Sequence, residues 1–205
     1  MEKKLTKREI KTQQTRETII NAALDLFRRY GFERTSIQDI CAEAKVSVGS
    51  LYHLFESKRA IIEYVLKDIQ HFYDPEQEYD YQTVNPEEIF RQGASNFKTL
   101  IETLTPEVVF NALFSSPSGN KTMFYKERSN VAWMRKQLRG LRDAGRIPAE
   151  MDINHLEFML NGQGIGLFYA AYTMDRMDTL EDDMYTALYG TFLQYTNKKR
   201  KESVN

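Results

Sequence analysis

The chain has 205 residues, 41% of them hydrophobic and 28% charged, an ordinary composition for a soluble globular protein of one or two domains. No apolar run approaches the ~18–20 residues that span a bilayer, and the N-terminal MEKKLTKREIKTQQ lacks the apolar segment of a secretory signal. The single cysteine excludes an internal disulfide. We therefore expect a cytoplasmic protein with no membrane partner. Residues 1–60 hold 12 Lys and Arg against 8 Asp and Glu, whereas the other 145 residues hold 16 against 21, and a cationic first part favours a nucleic-acid partner.

Four helices are predicted in the first 72 residues. Apolar side chains at helical spacing indicate the first helix, namely Ile20, Ala23, Leu24 and Phe27. Gly31 follows at the position where glycine commonly ends a helix, and Ser36 with Asp39 forms a capping box that begins a short second helix. Ser47 can cap a third helix and Ser57 a fourth, which we place at 57–72 as the connection to the rest of the chain.

The remainder of the chain is also predicted to be helical. Residues 73–86 contain two prolines and four acidic residues with little apolar periodicity, which indicates a connecting segment. Five helices follow, at 86–103, 106–115, 119–144, 152–172 and 179–195, the last with Thr179 and Asp182 as its capping box. Alternating strand patterns and hairpin turn signals are absent from the sequence, so we expect an all-α fold.

The segment 35–58, TSIQDICAEAKVSVGSLYHLFESK, contains two short helices joined by a tight turn, which indicates a helix-turn-helix. Three apolar side chains should point into the core: Val46, Leu51 and Phe55. Seven residues should face outward and reach bases or phosphates: Ser47, Val48, Gly49, Ser50, Tyr52, His53 and Lys58. Gly49 lets the helix approach a duplex closely, Val48 can touch a thymine methyl group, and Lys58 can bind a phosphate.

These residues, together with the preceding TIINAALDLFRRYGFERT, resemble the N-terminal domain of the tetracycline-repressor (TetR) family of bacterial transcription regulators over roughly residues 12–70. The shared pattern is an amphipathic helix, a Tyr-Gly-Phe turn, Thr-Ser-Ile-x-Asp-Ile, Val-Ser-x-Gly-Ser-Leu-Tyr and Phe-x-Ser-Lys. The resemblance adds three residues to the candidate DNA-binding set: Thr35, Ser36 and Gln38. Lys45 belongs to the same set but stands where the family commonly has glycine, and at φ > 0 a non-glycine residue costs ~1 kcal/mol.

The resemblance also implies an architecture and a mechanism. It implies about nine helices, with a helix-turn-helix DNA-binding domain over residues 1–60 and a C-terminal ligand-binding and dimerisation domain over residues 61–205. Such proteins are homodimers that bind a palindromic operator in double-stranded DNA until a small-molecule effector releases them. We therefore expect a repressor of transcription. The alternative left open is a helical ligand-binding or scaffold protein that no longer recognises specific DNA.

Aromatic side chains crowd residues 90–172, and ligand pockets favour aromatic walls with a few polar groups. Most of these side chains must belong to the core, but a subset can line a cavity for a small apolar or aromatic effector. The candidate lining residues are Phe97, Phe110, Phe114, Phe124, Trp133, Met134, Asn161, Phe168 and Tyr169.

The last two long helices, 152–172 and 179–196, combine broad apolar faces with small residues, which predicts a homodimer through a four-helix bundle. The sequence has no nucleophile motif and no structural zinc spacing. We therefore expect no catalytic residue, no metal and no cofactor, and do not expect an enzyme.

Overall fold

The computed structural model describes residues 6–67, 73–74, 77–114 and 129–202. Within these ranges the chain forms nine α-helices and no β-strand, so the predicted all-α fold is confirmed there. The helices are α1 (Lys7–Tyr30), α2 (Ile37–Ala44), α3 (Val48–Leu54), α4 (Lys58–Lys67), α5 (Pro86–Leu104), α6 (Pro106–Phe114), α7 (Ser129–Asp143), α8 (Ile153–Thr173) and α9 (Leu180–Glu202). The predicted ends at residues 72 and 119 lie outside the described residues.

The chain divides into two compact units. The N-terminal unit contains α1 to α4 and also α6, whereas the C-terminal unit contains α5, α7, α8 and α9 with the segment before α5. Thr105, at a positive φ of 71°, lies at the sharp turn between α5 and α6. The sequence-based division into a DNA-binding and a ligand-binding domain stays a prediction, because it concerns what each part binds.

Hydrogen-bonded caps determine where the helices of the N-terminal unit begin. The capping side chains are Thr6 for α1, Ser36 for α2, Ser47 for α3 and Ser57 for α4. The last three were predicted, since each serine lies directly before an amphipathic segment. Helix α1 ends at Gly31, whose φ of 83° is unfavourable for other residues. The core beneath these helices includes Ile19, Ala23, Phe27, Ile40, Leu51, Phe55, Ile61 and Ile62.

In the C-terminal unit, α8 packs against both α7 and α9. Arg135 of α7 and Glu157 of α8 form a two-bond ion pair, with Nε–Oε2 and Nη2–Oε1 distances of 2.6 and 2.7 Å. At the start of α9 the Thr179 hydroxyl donates to Asp183 at 2.8 Å, so the predicted pairing with Asp182 was wrong by one residue. None of the described helices is both long and apolar enough to cross a membrane.

The segment that precedes α5 is tied to α7 by side-chain hydrogen bonds. Trp133 Nε1 donates to Gln77 Oε1 at 3.1 Å, and the Tyr81 hydroxyl donates to Gln137 Oε1 at 2.8 Å. The Tyr81 ring lies directly over Gly140, where a Cβ atom would collide with it. The segment before α5, which was predicted as a simple connection, therefore packs against α7 and is hydrogen-bonded to it.

Candidate DNA interface and ligand cavity

Helix α3 presents its polar residues on one exposed face. Ser47, Gly49, Ser50 and His53 are exposed, as are Val48 at 41% and Tyr52 at 53% of their surfaces. Leu51 and Phe55 are buried and Val46 is half-buried, in agreement with the predicted inward face. The candidate recognition residues of α3 are thus available to a partner, although their contact with DNA stays a prediction.

The start of α3 is held by serine hydroxyls. Ser47 Oγ accepts a hydrogen bond from Ser50 N at 3.1 Å, and the two hydroxyl oxygens lie 2.8 Å apart. A Cβ atom added at Gly49 would meet only Ser47 Oγ, at 3.9 Å. Packing within the chain therefore does not require glycine at this position. Close approach of a partner to the helix explains this glycine better than the fold does.

Helix α2 begins with a complete capping box. Ser36 Oγ accepts from Asp39 N at 3.1 Å, and the Asp39 carboxylate accepts from Ser36 N at 2.8 Å and from the Ser36 hydroxyl at 2.6 Å. The bond from the Ser36 hydroxyl, followed by the backbone bond, lowers the pKa of Asp39. Gln38, on the same turn, is exposed. Ser36 and Gln38 are thus both on the surface, at the position where the prediction needs them.

Two predicted residues have different surroundings from those expected. Thr35 is buried, with 3% of its surface exposed, and its hydroxyl donates to the Gly31 carbonyl at 2.9 Å. Lys58 Nζ donates to the carbonyl oxygens of Phe32 at 2.6 Å and Thr35 at 3.1 Å, with the Glu33 oxygen at 3.4 Å. In this structure both side chains hold the turn between α1 and α2. Contact of these two side chains with phosphate stays a prediction.

The same turn is held from its other side by α6. Glu107 Oε1 accepts a hydrogen bond from Phe32 N at 3.0 Å, and the Glu107 carboxylate would lie 3.1 Å from a Cβ atom at Gly31. Lys45, at the end of α2, is exposed and has the left-handed conformation, with φ 54° and ψ 42°. Lys45 therefore has the positive φ at which a non-glycine residue costs about 1 kcal/mol.

The C-terminal unit contains a cavity of about 70 Å³. Four of the predicted residues line it, namely Phe97, Trp133, Met134 and Asn161, together with eight that the sequence did not indicate: Tyr73, Gly93, Asn130, Leu160, Gly164, Ile165, Met184 and Leu188. These eight are mostly ordinary aliphatic, glycine or amide residues, and only the packing of α5, α7, α8 and α9 brings them together. Their types carried no signal of a cavity.

The other predicted lining residues are not in the cavity wall. Phe110 and Phe114 lie on α6 in the N-terminal unit, where their ring centroids are 4.9 Å apart. Phe168 is fully buried against Phe97, with a centroid distance of 5.5 Å, and Tyr169 is 48% exposed. Their assignment to an effector site therefore has no support from this cavity and stays a prediction, because aromatic content alone does not distinguish core, surface and cavity positions. Phe124 lies outside the described residues.

The cavity wall is mostly apolar and carries no ionisable group other than a tyrosine. Asn161 Nδ2 donates to the Glu157 carbonyl at 2.9 Å, which leaves its Oδ1 and its second N–H for a ligand. Burial raises the pKa of Tyr73, whose ring meets Trp133 edge-on at 5.8 Å between centroids. Within the described part of the chain no group of three His, Cys, Asp or Glu residues could hold a metal ion. A neutral ligand with a hydrogen-bond donor matches this lining.

The curated relatives match about a quarter of this chain. Residues 19–65 match the family described as "Bacterial regulatory proteins, tetR family". The HTH-type transcriptional regulator UidR of Escherichia coli (strain K12) is 43% identical over 54 residues, which cover 26% of this chain and 28% of UidR. The A-factor receptor protein of Streptomyces griseus is 42% identical over 55 residues, or 27% of this chain and 20% of that receptor. The match thus spans under a third of each relative.

Solved structures match over most of the chain. The SmeT–triclosan complex has a TM-score of 0.67 at 21% identity, and the alignment covers 90% of this chain and 92% of SmeT. The fatty acid degradation regulator FadR from Bacillus halodurans has a TM-score of 0.65 at 14% identity, with coverage of 91% and 96%. Salmonella enterica GusR has a TM-score of 0.61 at 20% identity, with coverage of 92% and 98%. These similarities establish a shared fold.

Proposed function

We propose that this chain is a DNA-binding transcriptional repressor whose operator binding is released by a small molecule. The match of residues 19–65 to the tetR family of bacterial regulatory proteins supports the proposal. The observation that carries the proposal is the exposed polar face of α3, capped by Ser47 and with Gly49 at its centre. A helix with small, polar and hydroxylated residues at its N-terminal end has the size and chemistry to enter the major groove.

The test of DNA binding is fluorescence anisotropy with labelled duplex from upstream of the chain's own coding region, at several salt concentrations. A specific DNA-binding protein loses affinity steeply as salt rises and still prefers one site over random duplex. Tyr52→Ala should weaken operator binding, because it removes an exposed side chain of α3. Tyr30→Ala is the matched control, since Tyr30 is similarly exposed but lies at the end of α1. Equal affinity of the two variants would remove α3 from the interface.

We assign the effector to the cavity of the C-terminal unit. At about 70 Å³ it is far smaller than the ~300–1,000 Å³ of pockets for drug-sized ligands, so a larger effector requires the helices to move apart. Release of DNA then follows if the expanded conformation binds DNA less tightly, because the coupling between two ligands is reciprocal.

The effector assignment is tested by thermal-shift screening of neutral compounds against charged compounds of the same size. Neutral aromatic compounds with a hydroxyl or amide donor should raise the unfolding temperature most. Asn161→Leu should abolish the additional rise in unfolding temperature that a donor group on the compound produces, because it removes the acceptor Oδ1. Asn154→Leu is the control, since Asn154 is an exposed asparagine on the first turn of the same helix. A screen in which only charged compounds bind would refute the assignment.

We also propose that two copies associate through α8 and α9. Exposed apolar and glycine residues form a stripe along α8, comprising Phe158, Gly162, Gly166 and Tyr169. Phe158 is 62% exposed, and a Cβ atom at Gly162, Gly166 or Gly190 would meet nothing within 4 Å. Such a surface suits close packing against a second copy, since the glycines let helices approach each other.

Light scattering tests the association. The unmodified chain should be a dimer at micromolar concentration, and Phe158→Asp should be a monomer, because it places a charge in the stripe. Met174→Asp should remain a dimer, since Met174 is even more exposed, at 69%, but follows the end of α8 outside the stripe. A monomeric unmodified chain would refute this interface.

A further inference from the structure

An open groove of about 470 Å³ lies between the first turns of α1 and the recognition helix α3. Helix α1 contributes one wall and α3, with its N-cap, the other. The lining residues are Arg8, Lys11, Thr12 and Thr15 from α1, and Ser47, Gly49, Ser50, His53 and Leu54 from the α3 side. All but Gly49 and Leu54 carry a cation, a hydroxyl or an imidazole.

The α1 wall follows from local sequence. Arg8, Lys11, Thr12 and Thr15 recur at i, i+3, i+4 and i+7, so a helix places them on one face. The hydroxyls of Thr12 and Thr15 donate to the carbonyls of Arg8 and Lys11, both at 2.9 Å. The hydroxyl hydrogens of Thr12 and Thr15 are therefore used within the helix. The side chains of this wall that a partner can bind are those of Arg8 and Lys11.

The groove is electrostatically one-sided. Its lining contains two permanent cations and no carboxylate. The acidic residue of the first turn, Glu9, instead accepts bonds from Thr6 N and the Thr6 hydroxyl, each at 2.7 Å. Arg8 and Lys11 are exposed and have no ion pair within the described part of the chain. A polyanion is the partner that this arrangement favours.

We propose that this groove holds the sugar–phosphate backbone of the DNA strand beside the bases that α3 contacts, with Arg8 and Lys11 each neutralising one phosphate. The inference rests on the proposed function. Continuity supports it, because Ser47, Gly49, Ser50 and His53 belong both to the groove and to the exposed face of α3. A strand lying along that face enters the groove and meets α1. Helix α1 thereby becomes a second DNA-contacting helix, which fixes the orientation of α3 without selecting sequence.

The experiment measures operator and random-duplex affinity of Arg8→Ala/Lys11→Ala across a range of KCl concentrations. Each lost phosphate contact should lower the magnitude of the slope of log K against log[salt] by about 1, and hence by about 2 for each chain bound. Near 0.1 M salt the affinity should fall by at least about tenfold. The ratio of operator to random affinity should stay unchanged, because phosphate contacts carry no sequence information.

Two further variants control for charge and folding. Arg28→Ala/Arg139→Ala removes the same number of cations from exposed positions outside the groove and should retain the slope. Arg8→Lys/Lys11→Arg keeps both charges and should restore binding lost in the alanine variant. Alanine is a strong helix former, so α1 should persist, and circular dichroism and thermal unfolding will verify this.

The outcomes separate this inference from the proposed function. An unmodified chain that binds no duplex at any salt concentration overturns both. An unmodified chain that binds specifically, together with an alanine variant of the groove that keeps the full slope, overturns the groove assignment alone. An equal loss of slope in the Arg28/Arg139 control also overturns the groove assignment, since overall charge would then suffice.

Discussion

The two units of the molecule differ in how their candidate functional groups are held in place. In the N-terminal unit, serine caps and backbone hydrogen bonds hold α2 and α3, and the bonded residues lie only a few positions apart in the sequence. In the C-terminal unit, the cavity wall is assembled from five separate parts of the chain by packing. The match to the family model, at residues 19–65, lies within the first of these units.

If packing holds the C-terminal unit together, Trp133→Ala should have the largest effect on stability. Trp133 is 1% exposed, lines the cavity and donates to Gln77. Its truncation should lower the free energy of unfolding by about 3–5 kcal/mol, as measured by urea denaturation followed by circular dichroism. Trp133→Phe, which keeps most of the ring volume, should lower the free energy of unfolding clearly less. A loss below about 1 kcal/mol for the alanine variant would contradict the comparison.

If hydrogen bonds to the backbone hold the N-terminal unit together, Lys58→Met should lower the free energy of unfolding by about 1.5–3 kcal/mol. The reason is that charged hydrogen bonds to three carbonyl groups are lost. Lys45→Met is the matched control for stability alone, since Lys45 is exposed and its replacement should leave the free energy of unfolding nearly unchanged. Urea denaturation measures the stability, and the salt slope of DNA binding supplies the decisive second readout. An unchanged slope supports a positioning role for Lys58, whereas a slope lowered by about 1 shows a phosphate contact.

Two glycines sharpen the comparison within the C-terminal unit. Gly140→Ala should destabilise by about 1–3 kcal/mol, because a Cβ atom there collides with the Tyr81 ring. Gly164→Ala should instead be neutral or stabilise by up to about 1 kcal/mol, since its Cβ would meet nothing within 4 Å and alanine favours the helix. Thermal unfolding of both variants checks the opposite signs. Two shifts of the unfolding temperature in the same direction would show that the surroundings of Gly140 or of Gly164 differ from those described.

The smallest expected effect concerns pH and the α2 cap. Because bonds from Ser36 lower the pKa of Asp39, its carboxylate stabilises the folded chain above the ordinary carboxyl pKa. This contribution is lost as pH falls through the lowered, folded-state pKa. Asp39→Asn should therefore reduce the difference in urea midpoint between about pH 6 and about pH 3. Equal pH dependence in both proteins would contradict the cap assignment.

Sequence reasoning succeeded where the determining contacts are local. Ser36 and Ser47 were identifiable as caps because their partners lie three residues away. The backbone acceptors of Lys58 were not identifiable from the sequence, because they lie 23 to 26 residues earlier. The place of Phe110 in the N-terminal unit could not be predicted for the same reason, since nothing near it in sequence assigns α6 to that unit. Five of the twelve residues in the cavity wall are leucine, isoleucine or glycine, which only tertiary packing can select.

The bond between Glu107 and Phe32 has a consequence for how the N-terminal unit is made. It joins residues 75 positions apart, so a ribosome must synthesise more than half of the chain before the turn between α1 and α2 receives this partner. A fragment that ends after α4 lacks it altogether, and so does a fusion protein built on residues 1–60. A transplanted N-terminal unit that keeps the native turn therefore has to carry α6 with it.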